Sequence, residues 1–195
     1  MIEAQRAARA GQAATGALVA FAIVQAFTGT AWLLFLAGIH LLSATLVLLL
    51  ALASELACWV LVPVWIYRAM AAARRSAPSL KTSPRWAVGW LFVPLAGLWK
   101  PLETMGQIWQ GSQSKRYVDS ASNPSTMNYW WFVWLVHMAC LLGAAASFSP
   151  NLINGFVLLA GISGITGAVA AVLLVVLIRR IGRFQAKAAD VAAFD

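Results

Sequence analysis

The sequence predicts an all-α membrane protein: four transmembrane helices, with a re-entrant or interfacial broken-helix segment between the second and third. Three observations lead there. Hydrophobic residues make up 62% of the chain and charged residues only 10%, a balance that no water-exposed surface of this size carries. Two long apolar blocks, Ala13 to Tyr67 and Asn128 to Ile178, contain no Lys, Arg or Asp. Between them lies a stretch dense in Trp, Pro and Lys that is too short to cross a bilayer. The 195 residues suit one membrane domain spanning 1–195 and leave no room for a separate soluble one.

In chain order, Met1 to Gln12 is a basic tail carrying Arg6 and Arg9. This pattern also opens a secretory signal, with Gly29-Thr30-Ala31 as a conceivable cleavage site. The apolar block runs on past Ala31 to Tyr67, which favours an uncleaved anchor. Its 55 residues would rise about 82 Å as helix, enough for two spans of a roughly 30 Å hydrocarbon core. The expected spans are 15–36 and 44–66, with 37–43 as the turn. The second ends in Trp65-Ile66-Tyr67-Arg68, aromatic residues followed by a cation, as where a helix leaves the bilayer. Arg74, Arg75, Lys81 and Arg85 follow, on an exposed connection after a short helical extension.

Residues 83–112 form the interfacial segment. Trp86 to Trp99 is apolar but interrupted by Gly89, Pro94 and Gly97, and its 14 residues would rise only about 21 Å. Pro94 removes an amide donor and clashes with the preceding turn, so two short helices are expected instead of one continuous one. Lys100-Pro101 restarts the chain, since proline suits a first helical position. Leu102, Met105, Ile108 and Trp109 then share a face opposite Glu103, Gln107 and Gln110, as in a helix lying in the interface. Gly111 to Thr126 is polar, includes Lys115, Arg116 and Asp119, and reads as a loop. The break Ser149-Pro150-Asn151 divides the second block into spans 128–146 and 156–178, and Arg179, Arg180, Arg183 and Lys187 close the chain on a short amphipathic tail.

Charge placement sets the expected topology, because Lys and Arg accumulate in cytoplasmic loops. With four spans, all fourteen Lys and Arg share one side and both outer turns carry none. The reading is therefore a multi-pass inner (plasma) membrane protein with both termini cytoplasmic. Trp65, Trp86, Trp90, Trp99, Trp109, Trp130 and Trp131 would line the inner interface, and Trp32 the outer. The net charge of +8 then expresses topology and attraction to anionic lipids at the cytoplasmic face, not nucleic-acid binding.

The run Trp65-Ile66-Tyr67-Arg68-Ala69, then Ser83-Pro84-Arg85-Trp86-Ala87-Val88-Gly89-Trp90, Val93-Pro94, Leu98-Trp99-Lys100-Pro101 and Ile108-Trp109, resembles the bacterial family called domain of unknown function 4328. The motif likeness covers about 65–112; Ala72 and Gly97 stand where the family pattern would have Asn. The resemblance implies small multi-span proteins in which Arg68, Trp86, Trp90, Pro94, Trp99, Lys100, Pro101 and Trp109 form an interfacial motif. It implies no activity or cofactor.

The residues capable of chemistry lie within the spans. Glu55 stands 13 residues before Arg68, about 20 Å from the inner boundary, and an ionisable group at that depth is a functional candidate. His137 lies mid-way along the third span. Glu55 and Cys58 are three apart on one helix, His137 and Cys140 three apart on another, so each pair shares a face. The four would meet at mid-bilayer, either as a Glu55–His137 polar pair with two packing cysteines or as a metal set of Glu55, Cys58, His137 and Cys140. A bis-histidine haem would need His40 and His137 at compatible depth. Gly161, Gly164 and Gly167, and the run Gly143 to Ala146, suit close helix packing. No serine has a His and Asp partner in prospect, and no H-E-x-x-H, C-x-x-C or glycine-rich phosphate loop occurs. The function expected is that of an accessory or interaction subunit without catalytic activity, with membrane-protein partners or a homo-oligomer. The alternatives are a metal or haem redox protein using His137 and a small proton-coupled permeation pathway using Glu55.

Overall fold

The computed structural model describes residues 2–113 and 124–191, and its regular secondary structure over them is all helical. Four helices are long and apolar enough to cross a membrane: α1 (Ile2–Leu36), α2 (Ala44–Ser76), α5 (Ser125–Ala146) and α6 (Ile153–Val191). Two shorter ones, α3 (Pro84–Gly89) and α4 (Lys100–Ser112), lie between α2 and α5. The expected polar loop falls largely outside the described residues, Lys115, Arg116 and Asp119 included.

The chain's own chemistry fixes where the helices stop. α1 ends in a Schellman arrangement, with Ile39 N–H on the Leu34 carbonyl, Gly38 N–H on that of Phe35, and Gly38 at φ +78°. A side chain there would be strained, so glycine closes the helix. The Ser43 hydroxyl accepts from Leu46 N–H and opens α2. α3 has Ser83 as N-cap and Pro84 in its first turn. The basic ends differ from expectation. α2 continues through Arg74 and Arg75 to Ser76, α1 begins at Ile2, and the C-terminal segment is a continuation of α6 and not a separate tail. Lys and Arg end the apolar surface without ending the backbone ladder, because both are good helix formers.

Between α3 and α4 the backbone breaks into 3-10 turns, Trp90–Phe92 and Ala96–Leu98, around extended Val93. The stretch 86–99 is therefore discontinuous, as Pro94 and the glycines predict.

The long helices contribute to two compact units, Met1–Gly16 with Trp59–Asn128 and Val175–Asp195, and Ala17–Cys58 with Tyr129–Leu174. In the first, Trp65, Met70, Met105, Ile108, Leu177 and Ile181 are buried. Gly111 of α4 abuts α2: a Cβ there would lie 3.1 Å from Ala73 Cβ and 3.2 Å from its carbonyl oxygen. Gln185 of α6 donates to the Ala69 carbonyl (3.1 Å) and to Ser112 Oγ (2.9 Å).

In the second unit α1 buries Leu18, Phe21, Gln25, Thr28 and Trp32, alternating steps of three and four along one face. That face meets α6 at backbone distance. A Cβ on Gly164 would lie 2.6 Å from Gly29 Cα, and one on Gly29 would lie 2.9 Å from the Gly161 carbonyl oxygen. Close approach through small residues is the packing available to helices in lipid. Gly29-Thr30-Ala31 lies inside this crossing. Trp32, Val47, Ala144, Phe156 and Val157 form an apolar cluster beside it. α2 and α5 leave large apolar faces exposed, among them Leu49, Leu56 and Val60, and Phe132 and Leu142, which suits contact with hydrocarbon.

Candidate functional site

The second unit holds four polar side chains in a row, one from each long helix. Glu55 of α2 and His137 of α5 are brought together, with Oε1 3.0 Å from Nε2. Glu55 is 8% exposed and His137 2%, so neither faces lipid. Gln25 of α1 donates from its amide nitrogen to the same Oε1 at 3.0 Å. On the far side of the ring, Nδ1 lies 2.8 Å from the Ser163 carbonyl oxygen and 3.0 Å from Ser163 Oγ. Phe21 meets the imidazole edge-on at 6.2 Å between centroids. Gly167 makes room for the ring, since a Cβ there would lie 2.8 Å from Nδ1.

The carbonyl contact is the shorter of the two at Nδ1, and a carbonyl oxygen only accepts, so the geometry favours the tautomer with its hydrogen on Nδ1. Nε2 then faces a carboxylate oxygen across 3.0 Å, a contact that is repulsive unless one further proton sits between them. The approach falls short of the directionality of a hydrogen bond, and Nε2 has no other partner, so proximity and charge hold the contact. With that proton on either atom the pair is electrically neutral. A neutral pair is the form that avoids burying net charge.

Ser163, His137 and Glu55 have the composition of a catalytic triad but not its polarity. Activation would require the imidazole to accept the serine proton. Here Nδ1 donates, and Ser163 Oγ is placed to donate to the His137 carbonyl at 3.3 Å. Ser163 also sits mid-helix, where neighbouring amides are committed to the ladder and unavailable to an oxyanion. In that tautomer the row differs from a triad, in which the imidazole takes the serine proton.

The metal set does not assemble. Among the described residues no group of three or more His, Cys, Asp or Glu is placed to hold a metal ion. Both nitrogens of His137 are turned to Glu55 and Ser163, leaving none for thiols, and Cys58 and Cys140 are free, buried and half-buried respectively. A bis-histidine haem fits no better, because His40 lies in the exposed turn, with its ring 4.4 Å from that of Phe35.

Beside Glu55 lies a cavity of about 360 Å³. Its lining is apolar apart from Gln25, Thr28, Glu55 and Ser163. Gln25 and Ser163 were not among the residues singled out from sequence. The available signal was slight: an amide in the first span, and a hydroxyl set between Gly161 and Gly164.

The model of the family Domain of unknown function (DUF4328) matches residues 35–183, most of the chain. The chain belongs to the DUF4328 family. No curated protein and no solved structure matches it. The region shared with DUF4328 takes in Glu55, His137, Ser163 and all of α3 and α4; Gln25 and Gly29 precede it. The motif residues of this DUF4328 chain divide in two. Pro101 and Trp109 are buried, with Trp109 edge-on to Phe184 at 5.1 Å. Trp86 and Trp99 are more than half exposed. Trp90 stacks on Trp86 at 4.6 Å and lies under the Lys100 ammonium at 5.8 Å, while that ammonium also pairs with Glu103 at 2.6 Å. Pro94 is exposed, and the Arg68 guanidinium lies over the ring of Tyr67 at 5.7 Å. Of the tryptophans assigned from sequence to the inner interface, Trp65, Trp109, Trp130 and Trp131 are buried. Their large apolar area is used in packing within the protein.

Proposed function

We propose that this is a non-catalytic, multi-pass protein of the plasma membrane, with both termini and the segment between α2 and α5 on the cytoplasmic side. Its working centre is the proton shared by Glu55 and His137. The observation that supports this reading is the 3.0 Å contact of two buried titratable groups, with Nδ1 of the imidazole turned to the Ser163 carbonyl. Such a pair, next to a cavity and inside a membrane helix, suits proton-coupled handling of a small molecule. Nitrogen NMR of ring-labelled His137 in lipid nanodiscs tests it. At neutral pH Nδ1 is expected to be protonated, and the Nε2 resonance to move on Glu55→Gln. A bare Nδ1, or an Nε2 indifferent to Glu55, would sink the proposal.

A second reading, as an accessory subunit of a larger membrane assembly, draws on the exposed apolar side chains of the broken segment, Trp86, Phe92, Leu95, Leu98 and Trp99. In the first reading this surface seats in the headgroup region, with Lys81, Arg85 and Lys100 toward anionic lipids. Stoichiometric co-purification with another membrane protein, lost on Trp86→Ser and Trp99→Ser, would favour the second.

A further inference from the structure

The cavity beside the proton-holding pair has a direction. On α1 its lining runs from Trp32 to Gln25, on α2 from Leu48 to Glu55, and on α6 from Phe156 to Ser163. Each run is two helical turns, about 10 Å. The polar member is always the one farther from the helix ends that are joined by residues 37–43 and 147–152. The space is thus a mostly apolar slot with Trp32 and Phe156 at one end and its Gln25, Glu55 and Ser163 polar groups at the other, in the size range of small-molecule sites.

Charge decides what that end accepts. Glu55 is the ionisable side chain of the lining. The titratable groups near it are His137 from α5 and Cys58 on α2 itself; α1 presents Gln25 and α6 presents Ser163, neither of which titrates. An anionic ligand would meet a carboxyl with no cation in the walls. A neutral ligand would leave the shared proton where it is. A cation that replaces the proton keeps the site neutral, avoiding the cost of net charge away from water.

We infer that the slot binds a small lipophilic primary amine, its ammonium on the Glu55 carboxylate and its apolar body toward Trp32 and Phe156. This rests on the proton-holding reading. An aqueous ammonium enters, the pair's shared proton leaves to solvent, and the ammonium on the carboxylate offsets the negative charge that bare Nε2 would otherwise face, while His137 remains neutral with Nδ1–H on the Ser163 carbonyl. Charge and atoms balance, one cation for one proton.

Octylamine, 1-octanol and octanoate share an apolar chain that fits the slot, and differ in the head. Isothermal titration of each into the full-length protein in zwitterionic nanodiscs, corrected with empty nanodiscs, is the test. Octylamine is expected to bind at least about tenfold tighter than octanol, with octanoate not binding. Repeating the titration in buffers of different ionisation enthalpy should show about one proton released per amine bound. Glu55→Gln should abolish both the preference and the release. Ala160→Leu, which fills the slot without touching the pair, should abolish binding of amine and alcohol alike while leaving the His137 spectrum unchanged; it also serves if Glu55→Gln does not fold. Equal binding of octanol, amine binding without proton release, or full binding by Ala160→Leu would overturn the ligand assignment. If the His137 spectrum keeps its dependence on Glu55 in that case, the proton-holding reading stands and the ligand class alone has failed.

Discussion

At the scale of residues, what distinguishes this protein is one buried imidazole set between two oxygen acceptors. The Ser163 carbonyl lies 2.8 Å from Nδ1 and the Glu55 carboxyl 3.0 Å from Nε2. The two groups should therefore be energetically coupled. In reversible unfolding in mixed micelles, a double-mutant cycle of Glu55→Gln and His137→Ala is expected to give an interaction energy of about 1–3 kcal/mol, against less than about 0.5 kcal/mol for a distant control pair. Gln25→Leu should cost about 1 kcal/mol, since it removes one of the contacts to Oε1 and leaves an apolar replacement of similar size. Glu55 and His137 were legible in the sequence because charge and imidazole are rare inside apolar blocks and carry their own explanation. Gln25 and Ser163 were not. Uncharged polar residues are common within spans, and whether they meet a partner depends on the rotation of each helix, which near-uniform apolarity leaves unspecified. The polarity that separates this row from a catalytic triad was equally hidden, because it hangs on which oxygen of Ser163 reaches the ring.

At the scale of elements, hydrophobicity marks where lipid ends and says little about where a helix ends. Helices end at Leu36 and Ala146 and begin at Ala44 where turn chemistry stands beside each: Gly38, Ser43 and Ser149-Pro150. The basic ends of α2 and α6 carry no such signal, and Ala, Arg and Lys extend a helix into water at little cost. Glycines divide in the same way between those that serve packing and those that do not. A Cβ on Gly164 would meet backbone at 2.6 Å, whereas one on Gly16 would meet nothing within 4 Å. Gly16→Ala should accordingly raise stability by about 0.5–1 kcal/mol through helix propensity alone. Gly164→Ala should lower it by about 1–3 kcal/mol, because α1 and α6 must separate to admit the methyl group. Thermal unfolding in one detergent, measured side by side, checks both signs. A neutral Gly164→Ala would show that the crossing at Gly29 is looser than the geometry indicates.

At the scale of the whole molecule the proposed threading of the bilayer turns on the segment 86–99. Its helical pieces are Pro84–Gly89, Trp90–Phe92 and Ala96–Leu98, interrupted at extended Val93. Even drawn as one helix its 14 residues would reach only about 21 Å into a roughly 30 Å core, and the interruption would leave unpaired amides and carbonyls in hydrocarbon, at several kcal/mol each. The proposed four-span topology follows from this cost, and under the positive-inside rule it would put the fourteen Lys and Arg on one side. In a background with Cys58→Ala and Cys140→Ala, single cysteines at Ser76 and Gln113 should react with a membrane-impermeant maleimide only in inverted vesicles. One at Asn151 should react in intact cells. If 86–99 crosses after all, Ser76 and Gln113 will label from opposite sides, and the C-terminal cluster of Arg179, Arg180 and Arg183 will lie across the membrane from Arg74 and Arg75. Labelling of all three positions from one side would mean that α5 does not span.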